Sequence, residues 1–233
     1  MFDTNSDWGK LIVAALELAA EKPWSDVSLR EIAERAGLKM DALRGSFGSK
    51  TQIIAAYMKA VDNKVLASRE PDDEQSPRDA LFETIMARLD VMAEHKDALR
   101  SINDDVSPDS TLFNSYLNSQ RWMLLASGID GDGPRGVIRS VGLASLFGSI
   151  FRTWLNDEDP SQAKTMAALD RRLRRAEQTM STIDQTLEGV DRLKKTILGG
   201  VRRGASRMRP GRAGSTTPAP DPDIGPAAPT GDL

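Results

Sequence analysis

The stretch from Ser28 to Ile54, SLREIAERAGLKMDALRGSFGSKTQII, restricts what this chain can fold into more than any other. Ser28 followed by Glu31 is a capping box, in which the serine oxygen takes a backbone donor and the glutamate reaches back to the helix start. Leu29, Ile32, Ala33 and Ala36 then make one apolar face, and Gly37 is placed to stop the helix in the left-handed conformation. A third short helix is expected over Met40 to Ser46, with Leu43 and Phe47 spaced to reach the same core. Ser49 followed by Gln52 reads as a second capping box, opening a longer helix through Ile53, Ile54, Tyr57 and Val61. Upstream, Trp8, Leu11, Ile12, Ala15, Leu16 and Ala19 recur at helical spacing before Pro23. Two short helices joined at a glycine and braced by others form a helix-turn-helix, and Lys39, Asp41, Arg44 and Gly45 are left facing outward.

Composition narrows the class. The 233 residues are 39% hydrophobic, enough for a sizeable core, and no convincing strand run interrupts the helical periodicity, so the fold class is all-α. Without cysteine there is no disulfide, thiol chemistry or cysteine-based zinc site, and the single histidine, His95, cannot build a histidine metal centre. Asp130 and Asp132 lack the rest of a calcium loop, so no metal and no cofactor is expected. No nucleophile, base and orienting residue fall at a familiar spacing, and no phosphate-binding glycine loop is present, so an enzyme is not expected. The amino terminus lacks the features of a secretory signal, and the most apolar stretch, Val137 to Leu155, carries Arg139 and Arg152; a cytoplasmic protein is expected.

The first sixty or so residues resemble the DNA-binding domain of the TetR family of transcriptional regulators. The resemblance rests on the amino-terminal helix, on SLREIAERAGL, and on Phe47, Ser49 and Lys50 ahead of an apolar helix. It implies a recognition helix in the major groove of a double-stranded DNA operator. The implied DNA contacts are Ser28, Lys39, Met40, Asp41, Arg44, Gly45, Ser49 and Lys50, with Lys50 near a phosphate. Arg44 stands where the family commonly has an aromatic, and Gly45 costs about 1 kcal/mol relative to alanine inside a helix.

The resemblance extends to domain order: a helix-turn-helix domain over residues 1–68 and a helical ligand-binding and dimerisation domain over 76–182. In such proteins the last two core helices form a homodimer's interface. Here they would be the Val137 to Leu155 helix and one containing Leu169 and Leu173, starting at Asp159 or Pro160. An effector pocket is also implied. Its candidate lining is Phe113, Tyr116, Trp122, Met123, Phe147, Phe151 and Trp154, all of which serve equally as plain core, and an apolar small molecule would suit them. From Arg192 to Arg212 there are eight basic residues and no acidic one, so residues 183–209 read either as a basic amphipathic helical extension suited to an anionic membrane surface or as a solvated one. Residues 210–233 read as a disordered tail. The functional expectation is a dimeric DNA-binding regulator, a repressor, responsive to an apolar ligand. The alternative is a lipid-binding accessory protein of ubiquinone biosynthesis, a family that resembles the TetR fold and has lost DNA binding.

Overall fold

Ser6 accepts the Gly9 N–H at 3.0 Å and opens the first helix, α1 (Asp7–Glu21), which buries Leu11, Ile12, Ala15, Leu16 and Ala19 and ends just before Pro23. The computed structural model describes residues 3–69, 74–105 and 110–178. Residues 183–209 and 210–233, to which the basic extension and the tail were assigned, lie outside the described residues.

After a short 3-10 turn at Trp24–Asp26 comes α2 (Leu29–Arg35), with both halves of its capping box formed. Ser28 Oγ accepts the Glu31 N–H at 3.2 Å, and Glu31 Oε2 accepts the Ser28 N–H at 2.9 Å. Gly37 adopts φ +68°, and Leu38 N–H returns to the Ala33 carbonyl at 2.9 Å while Gly37 N–H reaches Glu34 at 3.1 Å. That pair of bonds is a Schellman stop, and a side chain at this φ would be strained. It turns the chain into α3 (Met40–Ser46), and α4 (Lys50–Ser68) follows. The second capping box forms with a shift: Ser49 takes the Gln52 N–H, but the Gln52 side chain accepts from Gly48 at 2.6 Å.

Next come α5 (Pro77–Met92), α6 (Lys96–Asp105), α7 (Ser110–Ala126) and α8 (Gly133–Leu155), and residues 163–178 are helical and are labelled α9. Among the described residues there is no strand, and no helix is long and apolar enough to cross a membrane. The α7–α8 turn is tight enough that a Cβ on Gly136 would lie 2.1 Å from the Gly131 backbone.

Helix α9 starts later than the expected Asp159 or Pro160. Asp159 accepts the Ser161 N–H at 2.9 Å, and Asp157 accepts Thr165 through its amide at 3.0 Å and its hydroxyl at 2.8 Å. These carboxylates hold residues 157–162 in a turn, with Gln162 at φ +52°. Leu169 and Leu173, on the helix expected to share a dimer interface, face inward and are buried inside the protomer.

The described residues fall within one unit, Met1–Thr182, in which α1 packs on α6 and α4 on α7. Helix α6 is tied on two sides. Ser101 Oγ accepts from Trp24 N–H at 2.9 Å and donates to the Lys22 carbonyl at 3.1 Å, and Asp105 takes the Ser25 N–H at 3.0 Å. On the other side Arg100 donates to the Leu155 carbonyl at 2.7 Å and Lys96 to that of Asp157 at 2.5 Å. Helix α6 thus joins the turn before α2 to the end of α8.

Candidate functional site

Leu43 and Phe47 anchor α3 in the small core, with the Phe47 ring 6.1 Å from that of Trp8. One buried position on so short a helix and another just past its end leave its other face outside, where Lys39, Met40, Asp41, Arg44 and Gly45 are all exposed. Met40 is 48% exposed, a large apolar side chain held in water beside two cations. No described residue forms an ion pair with Arg44 or Lys39. Ser28 is exposed at the start of α2, and Ser49 is half-buried at the start of α4. Five of the eight sequence-predicted contacts thus lie exposed along α3 or at its start, Ser28 and Ser49 stand at the starts of α2 and α4, and Lys50 departs from the pattern.

Lys50 turns inward. Its ammonium donates to the carbonyls of Trp24 at 2.7 Å and Val27 at 2.6 Å and lies 4.7 Å from the Trp24 ring centroid. Desolvation in this half-buried site pushes its pKa down, opposed by Asp105, Asp26 and Glu31. Two of the three ammonium donors are thus taken by the 3-10 turn, which leaves one for the phosphate contact expected of Lys50. Lys50 acts as a bolt between the start of α4 and the turn that α6 holds from the other side. Nearby, hydrogen bonds from Lys22 and then Ser28 hold the Glu31 carboxyl at about 2.

A cavity of about 620 Å³ lies behind this domain. Its walls come from α4 with Ile54, Tyr57 and Met58, from α5 with Arg88 and Met92, from α6 with Leu99, Ile102 and Asn103, and from α7 and α8. Four of the seven expected lining residues are there: Phe113, Tyr116, Phe147 and Phe151. The Tyr116 hydroxyl donates to the Ala144 carbonyl at 2.7 Å, and burial raises its pKa to about 12. Gly148 makes room for it, since a Cβ there would sit 3.3 Å from that hydroxyl.

The other three lie elsewhere. Met123 and Trp154 are fully buried in the core, where Trp154 stacks on Phe151 at 5.6 Å, and neither lines the cavity. Trp122 is 45% exposed and lines a separate cleft with Met58 and Asp62. On α7 the helical register separates neighbours: Met123 faces in, so Trp122 one position earlier faces out.

Sequence reasoning missed Tyr57, Arg88 and the α6 wall. Arg88 shares the inward stripe of α5 with Leu81, Ile85 and Met92, so spacing held the signal while residue type argued against it.

Residues 11–57 match the family model for bacterial regulatory proteins of the TetR family. The amino-terminal domain belongs to the TetR family. The TetR-type fold extends through the described helices. A TetR transcriptional regulator from Rhodococcus sp. RHA1 is 19% identical, superimposes with a TM-score of 0.57, and is covered over 96% of its chain by 74% of this one. The TetR transcriptional regulator from Nitrosomonas europaea ATCC 19718 is 22% identical with a TM-score of 0.58, covering 97% of its chain and 73% of this one. At these identities the likeness is one of fold. No curated protein matches the chain.

Proposed function

We propose that this chain is a homodimeric TetR-type repressor that reads an operator through α3 and responds to a small ligand with a largely apolar body in the cavity behind the DNA-binding domain. The observation that carries the reading is the outward face of α3, presented by a domain that matches the TetR family over residues 11–57. A seven-residue helix is too short to hold DNA alone, and two copies spaced about one turn apart reinforce each other on a palindrome.

Dimerisation is supported by the amino-terminal half of α8. Val137 is 62% exposed, Ile138 48% and Val141 49%, an apolar strip that a second copy would cover. Coupling is supported by α6. Its Leu99 and Ile102 line the cavity, its Ser101 and Asp105 hold the turn at Trp24, and Lys50 fastens that turn to the start of α4 beside α3. A ligand that shifts α6 has a continuous path to the reading helix, and by linkage DNA must affect ligand affinity equally.

Selection from a pool of random duplexes tests the reading. A two-fold repeated motif should be enriched, with light scattering reporting a dimer at micromolar protein. Recovery of no motif, or a monomer under those conditions, contradicts it. The ubiquinone-biosynthesis alternative drew on the departures at Arg44 and Gly45, which are exposed on α3, and on residues 183–209, which lie outside the described residues.

A further inference from the structure

Arg88 brings a charge into the depth of the cavity. It is 1% exposed, with its guanidinium carbon 4.6 Å from the Phe147 ring centroid. Its Nη2 lies 3.2 Å from Asp62 Oδ1, but this is an ion pair without hydrogen-bond alignment, and Nε and Nη1 have no hydrogen-bond partner. A guanidinium does not give up its proton, so these donors stay charged and unmet unless something enters to take them. The Tyr57 hydroxyl on the same wall is 1% exposed as a residue and is also unpartnered.

Asp62 does not line this cavity; it faces the cleft that holds Trp122. The ionisable lining residues that carry charge at neutral pH are Arg88 and Arg152, with no acid among them. Around them the wall is hydrocarbon and aromatic: Ile54, Met92, Leu99, Ile102, Phe113 and Phe147. We propose that the ligand is an amphipathic organic carboxylate, its hydrocarbon body against these apolar side chains and its carboxylate on Arg88, with the Tyr57 hydroxyl as a second donor. This rests on the cavity being the effector site and replaces a purely apolar effector with an anionic one. A neutral hydrocarbon would leave the guanidinium donors unmet, and a cationic amphiphile would meet two arginines.

Calorimetric titration of the full chain with dodecanoate, dodecanol and dodecylammonium, each below its micelle concentration, reads the preference. Dodecanoate should bind at least about tenfold more tightly than dodecanol, with dodecylammonium weakest. Arg88→Gln should bring dodecanoate down to the dodecanol level while dodecanol is unchanged. Because that variant leaves Asp62 without its counter-ion, the double variant R88Q/D62N is titrated beside it and should show the same loss. Tyr57→Phe should weaken dodecanoate alone, by about two- to fivefold. Equal binding of dodecanoate and dodecanol, or a preference kept in the double variant, overturns the carboxylate assignment and leaves the cavity as a ligand site. Binding of none of the three overturns both.

Discussion

The α3 surface and the cavity behind it handle polar groups in opposite ways. Around α3 the polar side chains that matter for shape are satisfied locally: Ser28 and Glu31 close a capping box, and Lys50 donates to two carbonyls. Those that would touch a partner, Lys39 and Arg44, stand in water. In the cavity, Arg88 and the Tyr57 hydroxyl are buried and incompletely met. An exposed donor without a protein partner costs little, because water takes it, whereas a buried one carries about 1–3 kcal/mol of unmet desolvation. The outward face of α3 can therefore vary at little cost to the fold, as Arg44 illustrates, and the cavity holds polarity at the expense of stability.

Asp62→Ala should give the largest effect on this contrast. Removing the counter-ion leaves Arg88 buried and unpaired, and chemical denaturation should register a loss of about 3–5 kcal/mol. A loss below about 1 kcal/mol would mean that solvent reaches Arg88 and that the two regions do not differ. Lys50→Ala tests the other side. If Lys50 is a bolt, the variant should lose about 1–3 kcal/mol of stability while the salt dependence of DNA binding is unchanged. A salt slope reduced by about one unit with stability intact would restore it to the phosphate contacts.

The pH dependence at Glu31 is smaller. Its folded pKa of about 2 lies below the ordinary 4.5, so its contribution is present above pH 4.5 and is lost as pH falls from there towards 2. The melting-temperature advantage of wild type over Glu31→Gln should shrink across that range; an advantage that stays constant would remove the charge from the capping box. Tyr57→Phe should be smallest, within about 0.5 kcal/mol of wild type, because the hydroxyl it removes has no partner. A clear loss of stability would show that the hydroxyl is satisfied in solution.

How well each region could be read from sequence follows the same division. The helix-turn-helix is written largely in local chemistry: Ser28 with Glu31 and Gly37 as a stop each act within a few residues of themselves, and Leu43 and Phe47, four positions apart, share one inward face. The cavity is assembled from five helices, so Phe113, Tyr116, Phe147 and Phe151 could be nominated as large apolar side chains, but Met123 and Trp154 are large and apolar too and went to the core. Arg88 was hidden because a charged residue on an amphipathic helix normally faces water, and its counter-ion Asp62 lies on a different helix, 26 positions earlier in the numbering. The late start of α9 escaped because Asp159 holds a turn at Ser161 and Asp157 reaches across that turn to the first-turn amide of Thr165.

That α3 reads DNA is tested most directly by fluorescence anisotropy of two labelled duplexes, one selected from a random pool and one of scrambled sequence, with wild type and Arg44→Ala at two salt concentrations. Wild type should prefer the selected duplex by at least about a thousandfold. Arg44→Ala should lose about 1–3 kcal/mol on that duplex and little on the scrambled one. Equal affinity of wild type for both duplexes, or equal losses on both in the variant, would contradict a reading role for this helix.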